Sequence, residues 1–252
     1  MIALVRGVPA TFDRALAARP PPLPIDVARA RAQHASYVAA FRSLGVAVVE
    51  IPADDAFPDC PFVEDTAVAA RGAAVLARTG APSRRGEVHA VAPHLAARVD
   101  VFAMDAPATL DGGDCLRSGD TLYVGLSART NAAGVARLAE VFVPRGVAVR
   151  TVGLPPGALH LKSVCSPLGD DAVLVAAGTL SHGTFRAREI EVPAAEARAA
   201  NAVVCPSGAL VAAGCPRTLA LVEAAGLRAI PVDMSELAKA DGALTCLSIL
   251  LD

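Results

Sequence analysis

Three segments of the chain repeat one order of hydrophobic and polar positions. In each segment, apolar side chains first recur at helical spacing, a glycine follows, and a run rich in β-branched residues then leads to a proline. The segments are 37–52, 137–155 and 218–233. The spacing predicts a helix, the glycines at 45, 146 and 226 predict its C-terminal cap, and the run predicts a buried strand. Residues 94–107 repeat this order without the glycine, and a fainter fifth copy lies around residues 185–210.

A short polar phrase follows each predicted helix–strand unit and interrupts the apolar pattern. The phrases are FVEDTA, TLDGGD, ALHLKS, ARAANA and ALTCLS. One residue of each phrase serves as a marker, and the markers are Glu64, Asp111, His160, Asn201 and Cys246. Successive markers lie 41 to 49 residues apart, which is the length of one supersecondary unit. Units that cannot bury their apolar face alone must stack, so we expect a closed five-unit α/β array with the markers at its hub.

Composition and charge restrict the function classes. The chain has 252 residues, is 54% hydrophobic and has a mean hydropathy of +0.47, so it can bury a substantial core. Its net charge of −2 disfavours binding to nucleic acid or to an anionic membrane surface. The sequence contains no apolar run of about 20 residues and no signal-peptide pattern, and we therefore expect a cytoplasmic protein. No linker-like stretch interrupts it, which predicts a single catalytic domain over residues 1–252.

Several other classes are disfavoured by particular features of the sequence. Mixed helix and strand patterns argue against an all-β propeller, and the lack of an early glycine-rich phosphate loop argues against a nucleotide-binding doubly wound sheet. The six cysteines are scattered and form no C-x-x-C pair. Their spacing disfavours both a disulfide scaffold and a structural zinc site.

Cys246, His160 and Asp111 are the first candidates for chemistry. Taken alone, Cys246 fits a buried core thiol, and His160, on a predicted strand, fits a core histidine. The repeat changes this interpretation because it places both residues at the same position of their units. A cysteine beside a histidine and an orienting carboxylate is what nucleophilic thiol chemistry requires, and Asp111 can supply the carboxylate.

Acidic and basic residues near the predicted hub indicate a charged ligand. Asp59, Glu64 and Asp65 lie among apolar residues in FPDCPFVEDT, and buried acids need cationic partners. Asp59 could instead cap a helix, but three acids together favour a cationic ligand such as a guanidinium. Arg84 and Arg129 lie among turn-forming residues, where they either face solvent or clamp a carboxylate in bidentate fashion.

Seven phrases, in order along nearly the whole chain, resemble the dimethylarginine dimethylaminohydrolases. These enzymes belong to the guanidine-modifying superfamily with the pentein fold. The phrases are DVARARAQHASYV, FPDCPFVEDTAV, RTGAPSRRGEV, ATLDGGDCL, VGLSARTN, LHLKS and MSELAKADGALTCLS. The resemblance implies a five-bladed pseudo-symmetric α/β propeller of ββαβ units. It also implies hydrolysis of Nω-methylated arginine to citrulline and dimethylamine or methylamine.

The resemblance assigns a role to each candidate residue. It makes Cys246 the nucleophile of a covalent thiouronium intermediate, His160 the general acid and base, and Asp111 the acid beside it. Asp65 is expected to hold the guanidinium, with Glu64 near it. The remaining expected substrate contacts are Asp59 and the backbone carbonyls of Ala240 and Leu16 for the α-ammonium, and Arg84 and Arg129 for the α-carboxylate.

The resemblance also defines the expected partners and the alternatives. It implies a small-molecule substrate, no metal and no organic cofactor, and leaves a homodimer open. One alternative is arginine deimination by the same cysteine, histidine and acids. A different class is a non-catalytic binder of cationic amino acids that has kept the pocket.

Overall fold

Each predicted unit forms one three-stranded sheet in the computed structural model, which describes residues 1–251. The strands are β1 (Ile2–Arg6), β2 (Ala47–Ile51), β3 (Ala67–Ala70), β4 (Ala73–Leu76), β5 (Asp100–Ala103), β6 (Cys115–Ser118), β7 (Thr121–Leu126), β8 (Ala148–Gly153), β9 (Cys165–Pro167), β10 (Ala172–Ala176), β11 (Arg188–Val192), β12 (Val203–Cys205), β13 (Gly208–Ala212), β14 (Ala229–Val232) and β15 (Ile249–Leu251). The helices are α1 (Val27–Ser43), α2 (Val88–Ala96), α3 (Ala132–Phe142) and α4 (Pro216–Ala224).

The order of elements within a unit is strand, strand, helix, strand. β3 pairs antiparallel with β4, and α2 then carries the chain across to β5, which pairs parallel with β4. A parallel pair needs such a crossover, whereas an antiparallel pair needs only a turn. The same order holds for β6, β7, α3 and β8 and for β12, β13, α4 and β14. These five small sheets confirm the predicted five-unit α/β fold.

The two ends of the chain together form one further unit. β15 pairs antiparallel with β1, and β1 pairs parallel with β2 after the crossover through α1. The last strand therefore completes the unit that the first strand begins. This pairing holds the segment just before β15, which contains Cys246, against the start of the chain.

The fifth unit lacks the crossover helix. β10 is parallel to β11, but residues 177–187 between them contain no helix. The periodic apolar pattern is faint there because no helix face has to be buried. The residues that follow, Ala194–Ala200, form only a short 3-10 segment before β12.

The helix ends follow the predicted caps. Gly45, Gly146 and Gly226 have φ values of +74°, +78° and +87°. Residues with a Cβ adopt this left-handed backbone conformation only at a cost in free energy. At the other end of α1, the Asp26 side chain accepts a hydrogen bond from the Arg29 N–H (3.0 Å), and Asn131 caps α3 in the same way. Local sequence thus determines where these helices begin and end.

Apolar side chains pack both within and between units. One cluster combines Val75 of β4 with Leu122 of β7 and Phe142 of α3, which joins two neighbouring units. Another joins Phe41 of α1 to Leu247, near the C-terminus. Within residues 1–251, no helix combines the length and the apolar character that crossing a bilayer requires.

The marker residues lie in or beside short 3-10 turns that follow the sheets. Glu64 is in Val63–Thr66, and Cys246 is in Thr245–Leu247. Asp111 and His160 each immediately precede such a turn. The prediction that His160 lies on a strand is wrong, because its extended backbone (φ −137°, ψ 164°) caps the turn Leu161–Ser163 and pairs with no strand.

We expect Gly45→Ala to lower the free energy of unfolding by about 1–2 kcal/mol, because alanine must adopt the left-handed conformation there. A Cβ at Gly45 would meet nothing within 4 Å, so the cost isolates the backbone. Gly153→Ala is the matched control, because its Cβ also meets nothing and its φ is not positive. Urea denaturation measures both variants, and equal losses would contradict the capping role.

Candidate active site

A cavity of about 160 Å³ lies where the turns of several units meet. Eight of the ten predicted site residues line it. These are Leu16, Asp59, Asp65, Arg84, Arg129, His160, Ala240 and Cys246. Residues separated by as much as 230 positions in the sequence thus share one small space, and two of the five repeat markers, His160 and Cys246, are among them.

Asp111 lies behind His160 instead of lining the cavity. Its side chain is fully buried, and its Oδ2 is 3.1 Å from Nε2 of the imidazole. Its other oxygen accepts the N–H of Gly80 at 2.8 Å, and the Asp111 N–H is bonded to the Thr130 hydroxyl. This carboxylate is therefore fixed on both sides and orients the ring.

The His160 imidazole is held in its protonated form. Burial disfavours the charged ring, but the charge of Asp65, the hydrogen bond with Asp111 and the charge of Asp114 outweigh burial and raise the pKa of His160 to about 9. Asp111 Oδ2 then accepts the Nε2–H proton. At neutral pH the site thus contains a buried proton donor.

The Cys246 thiol is held in its neutral form. Burial and the nearby charges of Glu64 and Asp65 raise its pKa to about 12, while the Ala243 N–H, 3.4 Å from the sulfur, and Lys162 act in the opposite direction. Glu64 and Asp65 penalise negative charge on the sulfur. A cation that enters the cavity offsets their field and therefore favours the thiolate.

Asp65 remains a carboxylate at the cavity wall. Burial alone would raise its pKa, but His160 and Arg84 lower it to about 2. One oxygen accepts the Gly113 N–H at 3.0 Å, and the other accepts from Arg84 Nη1 at 2.6 Å. Asp65 can therefore face a guanidinium with a fixed negative charge.

The turn at Gly113 leaves no space for a side chain. A Cβ there would lie 2.6 Å from His160 Nδ1 and 3.1 Å from Asp65 Oδ1. The GG pair of TLDGGD therefore lets the imidazole and the carboxylate approach the backbone closely.

Arg84 is a buried ion-pair partner as well as a cavity residue. Its Nε donates to Glu87 Oε1 at 3.0 Å, and its Nη2 donates to the Phe62 carbonyl at 2.9 Å. With the Asp65 contact, each of its three nitrogens already has a protein acceptor. Arg84 therefore holds Asp65 in place. Its role in binding a substrate carboxylate stays a prediction.

Arg129 and Asp59 face the cavity with fewer protein contacts. The Arg129 side chain is 23% exposed, and its Nη1 lies 3.7 Å from Asp111. Asp59 accepts the Leu16 N–H at 2.9 Å, which ties the N-terminal loop to the cavity rim. The two side chains place opposite charges at the same rim, as an amino-acid zwitterion requires.

The expectation that Glu64 lies near the guanidinium of the substrate stays a prediction, because its charge acts on the Cys246 thiol although its side chain lines a different cavity. Its carboxylate is ion-paired with Lys162 and accepts from the Thr245 hydroxyl at 2.8 Å. It lines a second cavity of about 350 Å³ together with Lys162 and Thr245. Consecutive side chains of the turn point to opposite sides, so Asp65 faces one cavity and Glu64 faces the other.

Three further charged residues lie in or beside the site and are not predicted from the sequence. Asp241 lines the first cavity and accepts the Ala18 N–H at 2.6 Å. Asp114 accepts from the Leu161 N–H at 3.0 Å and from the Ser127 hydroxyl at 2.6 Å. Lys162, one of only two lysines in the chain, is the third. Position within the marker phrases was the available signal for Asp114 and Lys162.

One group of side chains has the composition of a metal site. Donor atoms of Asp65, Asp111 and His160 lie within 4.8 Å of one another. Each already has a protein partner, and the ring nitrogen nearest Asp111 is bonded to that carboxylate. The group therefore fits a proton-holding cluster, and the expectation of no required metal stays a prediction.

Comparison with known proteins gives the same family from three directions. The family model described as "N,N dimethylarginine dimethylhydrolase, eukaryotic" matches residues 24–197. An N(G),N(G)-dimethylarginine dimethylaminohydrolase from Pseudomonas aeruginosa is 35% identical over 89% of this chain and 89% of its own. The enzyme of that name from Streptomyces coelicolor is 39% identical over 90% of this chain and 88% of its own.

Solved structures agree with the sequence matches. A cysteine-to-serine mutant of the P. aeruginosa enzyme, complexed with citrulline, matches with a TM-score of 0.93 and 32% identity over 98% of this chain and 97% of that one. The N-terminal domain of a cyanobacterial arginine dihydrolase shares the fold, with a TM-score of 0.85 at 17% identity over 98% of this chain and 97% of that one. The shared fold, the extent of the sequence matches and the family model together place this chain in the dimethylarginine dimethylaminohydrolase family.

Proposed function

We propose that this chain hydrolyses Nω-methylated arginine to citrulline and an alkylamine, with Cys246 as the nucleophile. The observation that carries the proposal is the cavity that Cys246 and His160 line together, with Asp111 behind the imidazole. The family relatives support the substrate class. We propose one catalytic domain over residues 1–252, and the cytoplasmic location and homodimer stay predictions.

The charges around the cavity fit both ends of the substrate. Arg129 and Arg84, which both line the cavity, are the proposed partners of the α-carboxylate. Asp59 and the backbone carbonyls of Ala240 and Leu16 are the proposed partners of the α-ammonium. Asp65 then faces the guanidinium. Binding both ends holds the central guanidinium carbon beside the sulfur and makes the attack effectively unimolecular.

The substrate itself supplies the charge that activates sulfur. A guanidinium in the cavity offsets the field of Glu64 and Asp65, which otherwise raises the pKa of Cys246. As the cation binds, the thiol proton passes to solvent, and the resulting thiolate attacks the guanidinium carbon and gives a neutral tetrahedral adduct. His160, protonated at neutral pH, donates its proton to the departing dimethylamine or methylamine, and the covalent thiouronium remains.

The second half of the reaction reverses the role of His160. The imidazole, now neutral, removes a proton from water, and the resulting hydroxide attacks the thiouronium carbon. Collapse of that adduct breaks the carbon–sulfur bond, and the proton of its new hydroxyl group returns to sulfur, which releases citrulline and restores the neutral thiol. Asp111 keeps the ring oriented through both steps.

We expect Cys246→Ser to abolish release of citrulline and dimethylamine from asymmetric dimethylarginine while leaving binding measurable by calorimetry. Cys215→Ser is the control, because Cys215 is a buried thiol at the N-cap of α4, where serine is well accommodated. Near-normal citrulline release by Cys246→Ser would refute the nucleophile. Ammonia release from arginine, with no dimethylamine from the methylated substrate, would favour the deiminase alternative, and tight binding without product would favour the binder.

Replacing Asp65 by Asn should lower the pKa of His160 from about 9, because Asp65 is the largest influence that raises it. As pH rises through that pKa, the ring loses the proton that the leaving amine needs, so loss of activity at alkaline pH begins earlier in the variant. NMR titration of the imidazole nitrogens measures the shift without substrate. Asp59→Asn, at the same cavity, should leave this titration unchanged, and equal shifts in both variants would contradict the assignment.

For Arg129→Ala, we expect KM to rise about tenfold or more with a smaller change in kcat, because a charge-assisted hydrogen bond to a non-reacting carboxylate is lost. Arg145→Ala is the control, since its side chain has similar exposure (27%) and lies outside the cavity. Steady-state assays of citrulline measure both. A fall in kcat with unchanged KM would argue against the clamp.

A further inference from the structure

Asn201 is the fourth marker residue, and the mechanism above assigns it no role. Its side chain is 2% exposed and makes three contacts with two different loops. The amide nitrogen donates to the Lys162 carbonyl at 2.8 Å and to the Thr245 hydroxyl at 2.9 Å. The amide oxygen accepts the Thr245 N–H at 2.9 Å.

These contacts connect the segments that carry the nucleophile and the acid. Thr245 immediately precedes Cys246, and Lys162 is two residues beyond His160. One side chain thus joins the two loops whose reactive groups must meet. Asn201 itself does not line the catalytic cavity.

We propose that Asn201 is a positioning residue that sets the Cys246 turn against the His160 loop. The proposal rests on the proposed function, because the effect of positioning is measured as a change in the rate of that reaction. A carboxamide fits this place because it offers one acceptor and two donors in a fixed plane. Aspartate would keep the acceptor for Thr245 but, when ionised, would lose the donor for the Lys162 carbonyl.

A second set of contacts closes the connection into a ring. The Thr245 hydroxyl donates to Glu64 at 2.8 Å, and Glu64 is ion-paired with Lys162. Glu64, Lys162, Asn201 and Thr245 come from four different units. Three members of this ring, Glu64, Lys162 and Thr245, line the second cavity, and the charges of Glu64 and Lys162 act on the Cys246 thiol.

The expected consequence of losing Asn201 is a loss of chemical rate. Without the amide, the Thr245 N–H and the Lys162 carbonyl lose buried partners, and the Cys246 turn is held by fewer bonds. Displacement of a reacting group by about 1 Å can cost about 100-fold in rate. The groups proposed to bind the substrate ends, Arg129 and Asp59, lie on other segments, so affinity should change less.

Asn201→Ala should lower kcat tenfold or more while KM stays within about threefold of wild type. Ser166→Ala is the matched control. Ser166 donates to the Ala200 carbonyl at 2.6 Å and accepts the Ala202 N–H at 2.9 Å, so it holds the same loop without touching Thr245. The control should lower the Tm by a similar amount and keep kcat within about twofold of wild type. Equal kcat losses in the two variants, or a kcat near wild type in Asn201→Ala, would overturn the proposal.

A double-mutant cycle with Thr245→Val tests the route of action. If Asn201 acts through Thr245, the combined loss in kcat is smaller than the product of the two single losses. Multiplicative losses would contradict the proposed route.

Alkylation of Cys246 by iodoacetamide at pH 8 separates this proposal from the proposed function. Loosening the turn exposes the sulfur, so Asn201→Ala should react faster than wild type, and Ser166→Ala should match wild type. If the wild-type chain released no citrulline, the proposed function would be refuted. The alkylation rates would still show whether Asn201 positions the Cys246 turn. An unchanged alkylation rate in Asn201→Ala would overturn the positioning role.

Discussion

The site depends on the charge states of two groups that line one small cavity, the buried His160 imidazole and the half-buried Cys246 thiol. The carboxylates around His160 keep its imidazole protonated, and burial together with Glu64 and Asp65 keeps the Cys246 thiol neutral. Asp65 contributes to both effects, because it stabilises positive charge and penalises negative charge. A cationic substrate is the natural complement of such a site, since its arrival favours the thiolate without requiring a standing ion pair.

The fold supplies this site by repetition. Each unit ends in a short turn, and five units that close on themselves bring those turns together. The final strand β15 pairs with β1, so the turn that contains Cys246 is fixed by both termini of the chain. The turns are small and tightly packed, and Gly113 shows the limit, because a Cβ there would collide with the imidazole. Chemistry at the hub therefore rests on backbone packing as much as on the reactive side chains.

Local patterns predicted the fold well because the determinants are local. The glycines at positions 45, 146 and 226 do adopt positive φ, and the helix–strand units lie where the periodicity indicates. The fifth unit was faint because its crossover contains no helix to generate the period. His160 was misplaced on a strand because one extended residue before a turn resembles the start of a strand in sequence.

The sequence predicts which residues belong to the site better than it predicts the direction in which their side chains point. The repeat brought together Asp111, His160 and Cys246, but it carried no information about which way each side chain points from its turn. Glu64 and Asp65 are neighbours in sequence and face different cavities. Asp241 was missed because its position at the rim depends on how the N-terminal loop folds back onto it, through the Ala18 N–H.

The most direct measurement of the central claim is the identity of the residue that carries the covalent intermediate. Wild-type protein turning over asymmetric dimethylarginine can be quenched rapidly in acid, digested and mapped by mass spectrometry. The account predicts an adduct with the mass of the covalent thiouronium intermediate on the peptide that contains Cys246. An adduct on any of the other five cysteines, or turnover with no adduct at all, would contradict it.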